Sequence, residues 1–542
     1  MIQKTKFLFA DIFSIFALLV GGWKYTRALE TVLDIRLYDE SSYLWGGLNL
    51  FNLEITKGTV TENTQVYAFW YHLLAQFQPD SILLYYLNYK ILTILLPVML
   101  YLVLRRYKLP VIPCTIISFS LLISYANLGV WPKVSHFTLL IILACLFIIS
   151  FMKSKLTSFT VMTIGSLFCA YARPEFFLTF VVLFLLLVLI ILLEIRNHRK
   201  ISVVSITFII VCISIMLTVI HFWGVPTTTT RSYGAFAQHF SLNWVNWTNN
   251  QELSAWADWD KIMYLNFGET GSIQEAFIHN PLLFIKHVST NLKSAPIELL
   301  HLFSTQISFV RESTFSNLSA ITIIIMLVSL IFLFKEPEKV TLKEKLHNYS
   351  NVLIFIGCYL SVSFLSVAVI FPRSHYLIFF AVLSLVILTI FLPGIGNKFV
   401  YRDHKLLIIL VGLIGIFVTP QYAQLIDHSV NKENVNTFEF LRSLAIEEEV
   451  YLLEAKGGVH IYVGNNYHRI AQYNKATSFD DFRRENKINA ILITSSLTND
   501  SRFKNDKDWT SFLKNYQDLG FISLDIPGSE GQLILEKHLI NQ

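Results

Sequence analysis

Charged residues are scarce in this sequence, which is unusual for a soluble protein. Only 15% of the 542 residues are charged, whereas 54% are hydrophobic. A chain this apolar is not an ordinary soluble domain; the composition is typical of polytopic membrane proteins. Lysine and arginine give a net charge of +5 but recur at intervals between apolar runs instead of forming one basic stripe. We therefore expect no nucleic-acid partner.

Cysteine is also rare, and its five copies carry no ligand pattern. All five lie inside apolar runs without CxxC or Cys/His spacing: Cys114, Cys145, Cys169, Cys212 and Cys358. We expect neither disulfides nor a structural zinc site. Internal repeats are not visible, and the first apolar run lacks a small-residue cleavage site, which predicts a retained first span rather than a signal peptide.

Long apolar runs dominate the first three quarters of the chain. Eleven are candidate spans: 7–23, 81–104, 111–128, 134–152, 156–171, 176–193, 201–223, 318–334, 352–371, 376–392 and 406–418. The fifth and the last are short for a bilayer of roughly 30 Å. Basic clusters recur in alternate connections, so the positive-inside rule places the N-terminus in the cytoplasm. We predict a polytopic α-helical membrane domain over residues 1–420, with long outer loops at 24–80 and 225–317.

The composition changes near residue 421, where charge rises and apolar runs shorten. Strands are predicted in EVYLLEA, HIYVG, NAILITSS, FISLDIP and GQLILEKH, and helices in SFDDFRREN and DWTSFLKNYQDLG. Residues 421–542 are therefore predicted to form a small soluble α/β domain on the outer face. The Gly457-Gly458 pair is not followed by a phosphate loop, so a nucleotide site there is weakly indicated.

Two adjacent carboxylates, Asp39 and Glu40, follow the first span in RLYDESSYLWGGLNL. Carboxylates this close repel each other near a membrane surface and favour a proton, a cation or a metal. A solvated loop is the alternative interpretation. A divalent metal would fit the pair, but no third carboxylate is evident nearby, so we favour a site without metal or other cofactor.

Three short outer loops each carry one cation: Lys133 in WPKVSH, Arg173 in ARPE and Arg373 in PRSHY. Each alone could extend to lipid headgroups, but three cations on the disfavoured side together indicate an anion site, most simply a phosphate at the membrane boundary. His375 lies close to Arg373 in sequence. Lys90, within the second span, could extend outward or project into the bundle.

Aromatic residues interleave with polar ones in both long outer loops. Tyr67 lies in TENTQVYAFWYHLL, and Arg231, Gln238 and His239 lie in RSYGAFAQHFSLNWVNW. The pattern fits a carbohydrate or headgroup surface, and it fits an interfacial aromatic belt equally well. Further along, NPLLFIKHV is typical of an amphipathic helix lying on the membrane.

Taken in order, YDESSYLWGG, the aromatics before the second span, ARPEF, NPLLFIKHV and PRSHYL resemble motifs of the GT-C superfamily of polyprenyl-phosphate-sugar glycosyltransferases. The chain looks most similar to bacterial membrane enzymes like the protein mannosyltransferases and the aminoarabinose transferases. By this resemblance Asp39 takes the catalytic acidic position, Glu40 the neighbouring one, and Arg373 the cation near the donor phosphate. Many relatives have an Arg-Tyr pair where this chain has PRSHY, so either Arg373 or His375 contacts the phosphate, with Tyr376 displaced.

The resemblance implies an integral membrane enzyme of a bacterial inner or plasma membrane. It would move a sugar from a polyprenyl-phosphate donor to a lipid, glycan or protein acceptor on the extracytoplasmic face, with inversion. The donor phosphate would be bound by Arg373, His375, Arg173, Lys133 and Lys90, and the substrate by Tyr67, Arg231, Gln238, His239 and Tyr376. Two alternatives stay open: a transporter or flippase of lipid-linked saccharides, and a polyprenyl-diphosphate-dependent polymerase or ligase.

Overall fold

A computed structural model of the chain describes residues 9–50, 64–197, 202–226, 229–250, 252–256, 258–304, 342–391, 405–425, 432–455, 457–470, 478–498, 503 and 506–540. The described chain is mostly helical, with a small mixed sheet near its C-terminus. It forms two compact units. The first unit comprises Met1–Arg27, Glu62–Tyr67 and Tyr89–Leu425, and the second comprises Ala28–Thr61, Ala68–Asn88 and Ile426–Gln542.

Helices account for nearly all regular structure before residue 420. They are α1 (Phe9–Thr26), α2 (Asp39–Leu48), α3 (Gln65–Ala75), α4 (Ser81–Arg106), α5 (Val111–Leu122), α6 (Tyr125–Leu128), α7 (Val134–Ile149), α8 (Lys155–Ala170), α9 (Phe177–Arg196), α10 (Val203–Trp223), α11 (Thr229–Thr248), α12 (Trp259–Phe267), α13 (Ile273–His279), α14 (Pro281–Leu302), α15 (Leu342–Asn348), α16 (Ser350–Val369), α17 (Ser374–Phe391) and α18 (Lys405–Val418). Short 3₁₀ helices lie at Leu29–Thr31, Pro174–Phe176 and Tyr422–Gln424.

Local sequence explains several helix starts. Ser202 caps α10 because its hydroxyl accepts a hydrogen bond from the amide of Ser205 at 3.1 Å. Asn280 caps α14 in the same way, accepting from the amide of Leu283 at 3.2 Å. Pro281 then occupies the first helical position, where its missing N–H is no loss. The predicted helix over NPLLFIKHV is thus confirmed and extends through Leu302.

Five helical segments among the described residues are long and apolar enough to cross a membrane: Ser81–Arg106, Pro174–Arg196, Val203–Trp223, Ser350–Val369 and Ser374–Phe391. Each matches a predicted span. Four further predicted spans correspond to apolar helices of 10–17 residues, namely α5, α7, α8 and α18. The predicted span 318–334 lies outside the described residues. The total of eleven spans and their sidedness therefore stay predictions.

The first predicted span, α1, contains a buried charge. Asp11 is 1% exposed and pairs with Arg105 at 2.5 Å, while the hydroxyl of Tyr101 donates to its Oδ1 at 2.8 Å. An apolar helix tolerates a buried carboxylate only where it is paired and hydrogen-bonded. This pair joins α1 to the C-terminal half of α4 within the first unit.

The second unit contains the sheet. Its strands are β1 (Val450–Leu453), β2 (Tyr467–Ile470), β3 (Ala490–Ile493), β4 (Phe521–Asp525) and β5 (Gln532–Glu536), in the order β2-β1-β3-β5-β4. β1 pairs in parallel with β2 and β3, whereas β5 is antiparallel to β3 and β4. The accompanying helices are α19 (Glu433–Ser443), α20 (Val459–Val463), α21 (Phe479–Glu485), α22 (Ser495–Thr498), α23 (Lys507–Asn515) and a 3₁₀ helix at Lys537–Leu539.

Aromatic packing builds the core on one side of this sheet. The rings of Phe479, Phe503 and Trp509 are buried against one another, with the centroids of Phe479 and Trp509 4.8 Å apart. Burying rings of this size is a large hydrophobic contribution. A small C-terminal mixed sheet is confirmed, including the predicted strands at β1, β3, β4 and β5, and so are the helices at α21 and α23.

One strand prediction was wrong. HIYVG was expected to be a strand, but residues 459–463 form the short helix α20. The carboxylate of Glu454 accepts hydrogen bonds from the amides of Gly458 at 2.9 Å and Val459 at 3.1 Å, and these bonds hold the start of a helical turn. The second strand follows later, at β2. The second unit also includes residues 28–61 and 68–88. The predicted division near residue 420 assigned those residues to the membrane domain.

Candidate functional site

Three turns that are far apart in sequence converge in the first unit. Arg173, in the turn before Pro174–Phe176, donates from Nη1 to the main-chain oxygen of His375 at 3.1 Å and also to the hydroxyl of Ser135. Ser135 lies in the first turn of α7, two residues after Lys133. The structure thus brings together the three short loops that carry Lys133, Arg173 and Arg373.

Arg173 is largely occupied by protein partners. Its guanidinium pairs with Glu175 at 2.5 Å and packs 4.8 Å from the ring centre of Tyr376. It is 6% exposed. Because a buried arginine must be paired and hydrogen-bonded, these contacts fix the turn that carries His375 and Tyr376. Arg173 therefore positions this turn, and direct binding of a phosphate by Arg173 stays a prediction.

Lys133 is fully buried at the start of α7. Its ammonium donates to the main-chain oxygens of Asn127 at 2.5 Å and Leu128 at 3.2 Å, and lies 4.7 Å from the ring centre of Tyr89. Those oxygens belong to the C-terminal end of α6, where a cation is favoured. Lys133 thus holds α6 in place; its predicted contact with a donor phosphate is untested.

His239, on α11, presents an unsatisfied nitrogen. The side chain is 5% exposed, and its Nδ1 donates to the main-chain oxygen of Ala235 at 2.6 Å. With the proton on Nδ1, Nε2 is an acceptor; it is buried and has no hydrogen-bond partner among the described residues. Burial and the nearby Arg373 guanidinium lower the pKa of His239 to about 4. The ring is therefore neutral and ready to accept one hydrogen bond.

Two aromatic rings and one further cation surround this histidine. The ring of Phe371 lies 5.2 Å from that of His239, and the ring of Trp256 lies 5.6 Å away on another side. The guanidinium of Arg373 lies 5.5 Å from the centre of the Trp256 ring. Arg373 is half-buried, and its main-chain oxygen accepts from the amide of Tyr376 at the start of α17.

His375 completes the cluster. Its ring lies 4.3 Å from that of Tyr376, and it is within electrostatic range of Arg173, Arg373 and His239. We call His239, Trp256, Arg373, His375 and Tyr376 the cation-aromatic cluster. It combines positive charge, flat rings and an open hydrogen-bond acceptor, a set that can contact an anion, a flat apolar face and a hydroxyl group.

A buried polar network supports this cluster, and sequence reasoning missed it. Asn243 donates to Nδ1 of His287 at 2.9 Å and to Oδ1 of Asn291 at 2.9 Å. Asn291 in turn donates to the main-chain oxygens of Ala368 at 3.0 Å and Ile370 at 3.2 Å. These bonds join α11 and α14 to the end of α16, directly before the turn that carries Arg373. Helical spacing was the available signal, since residues 239 and 243, and 287 and 291, lie four apart.

Four further residues that were predicted to bind a ligand lie in the first unit, and their surroundings do not indicate a ligand contact. Tyr67 is fully buried, with its ring 5.1 Å from that of Phe137. Lys90 and Gln238 are half-buried. Arg231 lies in α11, but its side chain is outside the described residues. Ligand roles for these four residues stay predictions.

The acidic pair lies in the second unit, where α2 begins at Asp39. Glu40 is fully buried, and its Oε1 accepts from the hydroxyl of Tyr71 at 2.5 Å and from the amide of Asn88 at 3.1 Å. The indole of Trp70 donates to Asn88 at 2.8 Å and so orients that amide. Glu40 thus anchors the first turn of α2 through hydrogen bonds to these two side chains.

Asp39 differs from its neighbour because it is half-buried. It is the first residue of α2 and so lies at the positive end of the helix dipole. The preceding residue, Tyr38, has φ +77° and ψ −122°, an unusual conformation for a side chain of this size. Backbone strain of this kind is frequently associated with functional sites. Asp39 is the more accessible carboxylate of the pair.

Among the residues that the structure describes, no group of three or more His, Cys, Asp and Glu side chains is arranged to hold a metal ion. The expectation of a site without metal therefore stays a prediction. No protein-family model matches this chain, and neither a curated protein nor a solved structure shows significant similarity to it.

Proposed function

We propose that this protein is an integral membrane glycosyltransferase that moves a sugar from a polyprenyl-phosphate donor to an acceptor on the extracytoplasmic face. The observation that carries the proposal is Nε2 of His239, which is buried beside the Arg373 guanidinium and the Trp256 ring and has no hydrogen-bond partner in the described part of the chain. A buried acceptor without a partner costs free energy, and a ligand that supplies an O–H recovers it. A sugar phosphate supplies both that hydroxyl and an anion.

In this proposal the members of the cation-aromatic cluster other than Tyr376 contact the donor. Arg373 faces the phosphate, which is already charged in the donor and gains charge as it leaves. His239, neutral because its pKa is about 4, accepts a hydrogen bond from a sugar hydroxyl. The Trp256 ring packs against the flat face of the sugar. His375 is a second candidate for the phosphate contact.

Asp39 is the proposed general base. A carboxylate within hydrogen-bond reach of the acceptor hydroxyl or amine removes its proton as the sugar is transferred, and such assistance is typically worth about 10²- to 10⁴-fold. Glu40 holds the first turn of α2 through Tyr71 and Asn88. Direct displacement of the phosphate by the acceptor inverts the anomeric carbon.

Five apolar segments of spanning length support the membrane part of the proposal. A polyprenyl chain stays in the bilayer, so an enzyme that uses it needs its site at the membrane boundary. The extracytoplasmic side follows from the distribution of lysine and arginine between the predicted spans.

Full-length protein in lipid nanodiscs provides the test. Binding of polyprenyl phosphate is measured for wild type, Arg373→Ala, His239→Ala and the control Arg484→Ala, whose side chain is 68% exposed. We expect Arg373→Ala to weaken binding of the bare lipid phosphate at least about tenfold, as loss of a charge-assisted hydrogen bond would. His239→Ala should spare the bare lipid and weaken binding of a polyprenyl-phosphate hexose.

Unchanged binding in both variants would contradict the proposed donor site. A reconstituted protein that moves the lipid-linked sugar across the bilayer, without transferring the sugar to any acceptor, would instead support the flippase alternative. Transfer assays with radiolabelled donor lipid and movement assays with the same lipid separate these outcomes.

A further inference from the structure

A second polar group without a hydrogen-bond partner among the described residues lies at the carboxyl end of β1, in the sheet of the second unit. β1 is flanked in parallel by β2 on one side and β3 on the other, so the chain leaves β1 in one direction and later returns on its other side. In open sheets the carboxyl end of a strand at such a switch point is a common place for ligand binding. The residue that follows β1 is Glu454.

Glu454 is 3% exposed, and its two oxygens have different surroundings. Oε1 accepts from the amides of Gly458 and Val459. Oε2 is buried and has no hydrogen-bond partner among the described residues. Arg469 is the nearby cation: its Nε lies 4.0 Å from Oε1, beyond hydrogen-bond distance. A buried carboxylate oxygen without a donor is costly, which points to a group that the described residues do not supply.

The Gly457-Gly458 turn beside Glu454 requires glycine. The φ angles are +72° at Gly457 and +109° at Gly458, where other side chains are strained. A Cβ at Gly457 would lie 2.6 Å from Nη2 of Arg469, and one at Gly458 would lie 3.4 Å from Cβ of Ser41. The turn therefore lies against the first turn of α2, within the same unit.

Aromatic and polar groups border this turn. Tyr38 is 58% exposed and is within electrostatic range of both Glu454 and Arg469. The rings of Trp45 and His460 lie 5.3 Å apart, and Nδ1 of His460 is buried with no partner in the described part of the chain. Burial lowers the pKa of His460 to about 4, so the ring is neutral. An exposed ring beside open polar atoms suits a hydroxylated ligand.

We infer that Glu454, Tyr38 and His460 form a binding subsite for a carbohydrate acceptor, in which a sugar hydroxyl donates to Oε2 of Glu454. The inference rests on the proposed glycosyl transfer, and it narrows the acceptor to a molecule that carries sugar hydroxyls or an amino group on a sugar. The Tyr38 ring provides the flat apolar face, and the neutral His460 provides a second polar contact. Tyr38 directly precedes Asp39, so the acceptor subsite adjoins the proposed base along the chain.

The experiment measures saccharide binding without any donor lipid. Full-length protein in nanodiscs is mixed with methyl α-mannoside, methyl β-galactoside or methyl β-glucosaminide, and saturation-transfer NMR reports binding. The variants are Glu454→Gln, Tyr38→Asn and the control Glu449→Gln. Glutamine keeps an oxygen for the amides of Gly458 and Val459 but replaces Oε2 with an NH₂ group, which cannot accept a hydrogen bond, and asparagine tolerates a positive φ. Glu449 is an exposed carboxylate, 62% accessible, just before β1.

We expect at least one glycoside to bind wild type and Glu449→Gln equally. Glu454→Gln should weaken that binding about tenfold or more, as the loss of a hydrogen bond at a buried acceptor does. Tyr38→Asn should weaken it with an unchanged melting temperature, which separates ring contact from misfolding. Preference for the glucosaminide would identify an amino sugar, and preference for the other two a neutral sugar.

Two results would overturn the inference. One is the absence of binding by all three glycosides to wild type; the other is equal binding by wild type and Glu454→Gln, which would make Glu454 and Arg469 a structural pair. Polyprenyl phosphate binding is measured on the same preparation, so that failure of the acceptor subsite can be distinguished from failure of the transferase function. Saccharide binding without lipid-phosphate binding would refute the transferase function alone, and the reverse would refute the acceptor subsite alone.

Discussion

The imidazole of His287 donates from Nε2 to the main-chain oxygen of Val369 at 3.0 Å, and this bond joins α14 to the end of α16. Nδ1 of the same ring accepts from Asn243, which fixes the tautomer. Arg373 follows four residues after Val369. The position of the proposed phosphate cation therefore depends on a neutral, buried histidine 86 positions before it, although that histidine itself has no assigned ligand contact.

His287→Ala should weaken phosphate binding as well as stability. Removing the ring leaves one N–H of the Asn243 amide and the Val369 oxygen without their hydrogen-bond partner in a buried region, at a cost of about 1–3 kcal/mol. We expect a lower melting temperature and weaker binding of polyprenyl phosphate. Thr290→Ala is the matched control, since its hydroxyl bonds within its own helix to Lys286. A variant that loses stability but binds the lipid normally would show that the network does not position Arg373.

Tyr71→Phe should destabilise the second unit. The hydroxyl of Tyr71 donates to the fully buried Glu40, and its loss removes a hydrogen bond to a charged group, worth about 1.5–3 kcal/mol. Tyr264→Phe is the control because Tyr264 is 63% exposed. Thermal unfolding in detergent should show a lower transition for Tyr71→Phe only. Equal transitions would mean that Glu40 does not depend on this donor.

Acid should destabilise the protein through its buried histidines. Burial lowers the pKa of both His239 and His287 from the ordinary 6.5 to about 4. Between these values the unfolded chain binds protons that the folded chain excludes, so this stabilisation is complete above pH 6.5 and is lost as pH falls toward 4. Melting temperatures of His239→Gln should fall less steeply over this window than those of wild type. The exposed His347→Gln should retain the wild-type slope.

Topology is tested by labelling single introduced cysteines in intact cells. The native cysteines among the described residues are buried or half-buried, which limits the background. We expect a membrane-impermeant reagent to label Ser478→Cys in the second unit and to spare Lys343→Cys. Labelling of Lys343→Cys with protection of Ser478→Cys would overturn the topology. Protection of both would place residues 426–542 on the cytoplasmic side together with Asp39, which lies in the same unit, and would contradict an extracytoplasmic site.

Local patterns predicted much of the fold, because they depend on neighbours in sequence. Apolar runs located the five long helices, and alternation with turn residues located β1, β3, β4 and β5. HIYVG was misassigned because the carboxylate of Glu454 forms the α20 turn, and apolar composition does not report that bond. Short apolar segments are ambiguous between strand and helix for this reason.

The candidate site was predicted less completely, because its geometry depends on residues distant in sequence. Lone cations drew attention to Arg173 and Arg373, yet the sequence could not indicate that Arg173 would donate to the main chain of His375. The open nitrogen of His239 was likewise hidden, since satisfaction of a polar atom is a property of packing. Residue types were thus predictable, and their partners were not.

Asp39→Asn should abolish sugar transfer while leaving donor binding intact. Asparagine keeps the shape of Asp39 at the start of α2 but cannot take a proton, so the loss falls on the transition state. We expect transfer to fall about 10²-fold or more, the lower end of what a general base contributes. Polyprenyl phosphate binding and the melting temperature should match wild type. Asp518→Asn, at an exposed surface carboxylate, is the control for the substitution itself.

Arg373→Ala provides the contrast that makes the Asp39 result interpretable. The donor phosphate is charged before the reaction begins, so loss of Arg373 weakens donor binding and transfer together, whereas loss of the base lowers turnover alone. A carrier would show the opposite dependence, since neutralising Asp39 leaves lipid movement largely unchanged. If Asp39→Asn retains near-normal turnover, the base must be sought elsewhere. Glu40→Gln then tests the neighbouring carboxylate, which is fully buried and already accepts hydrogen bonds from Tyr71 and Asn88.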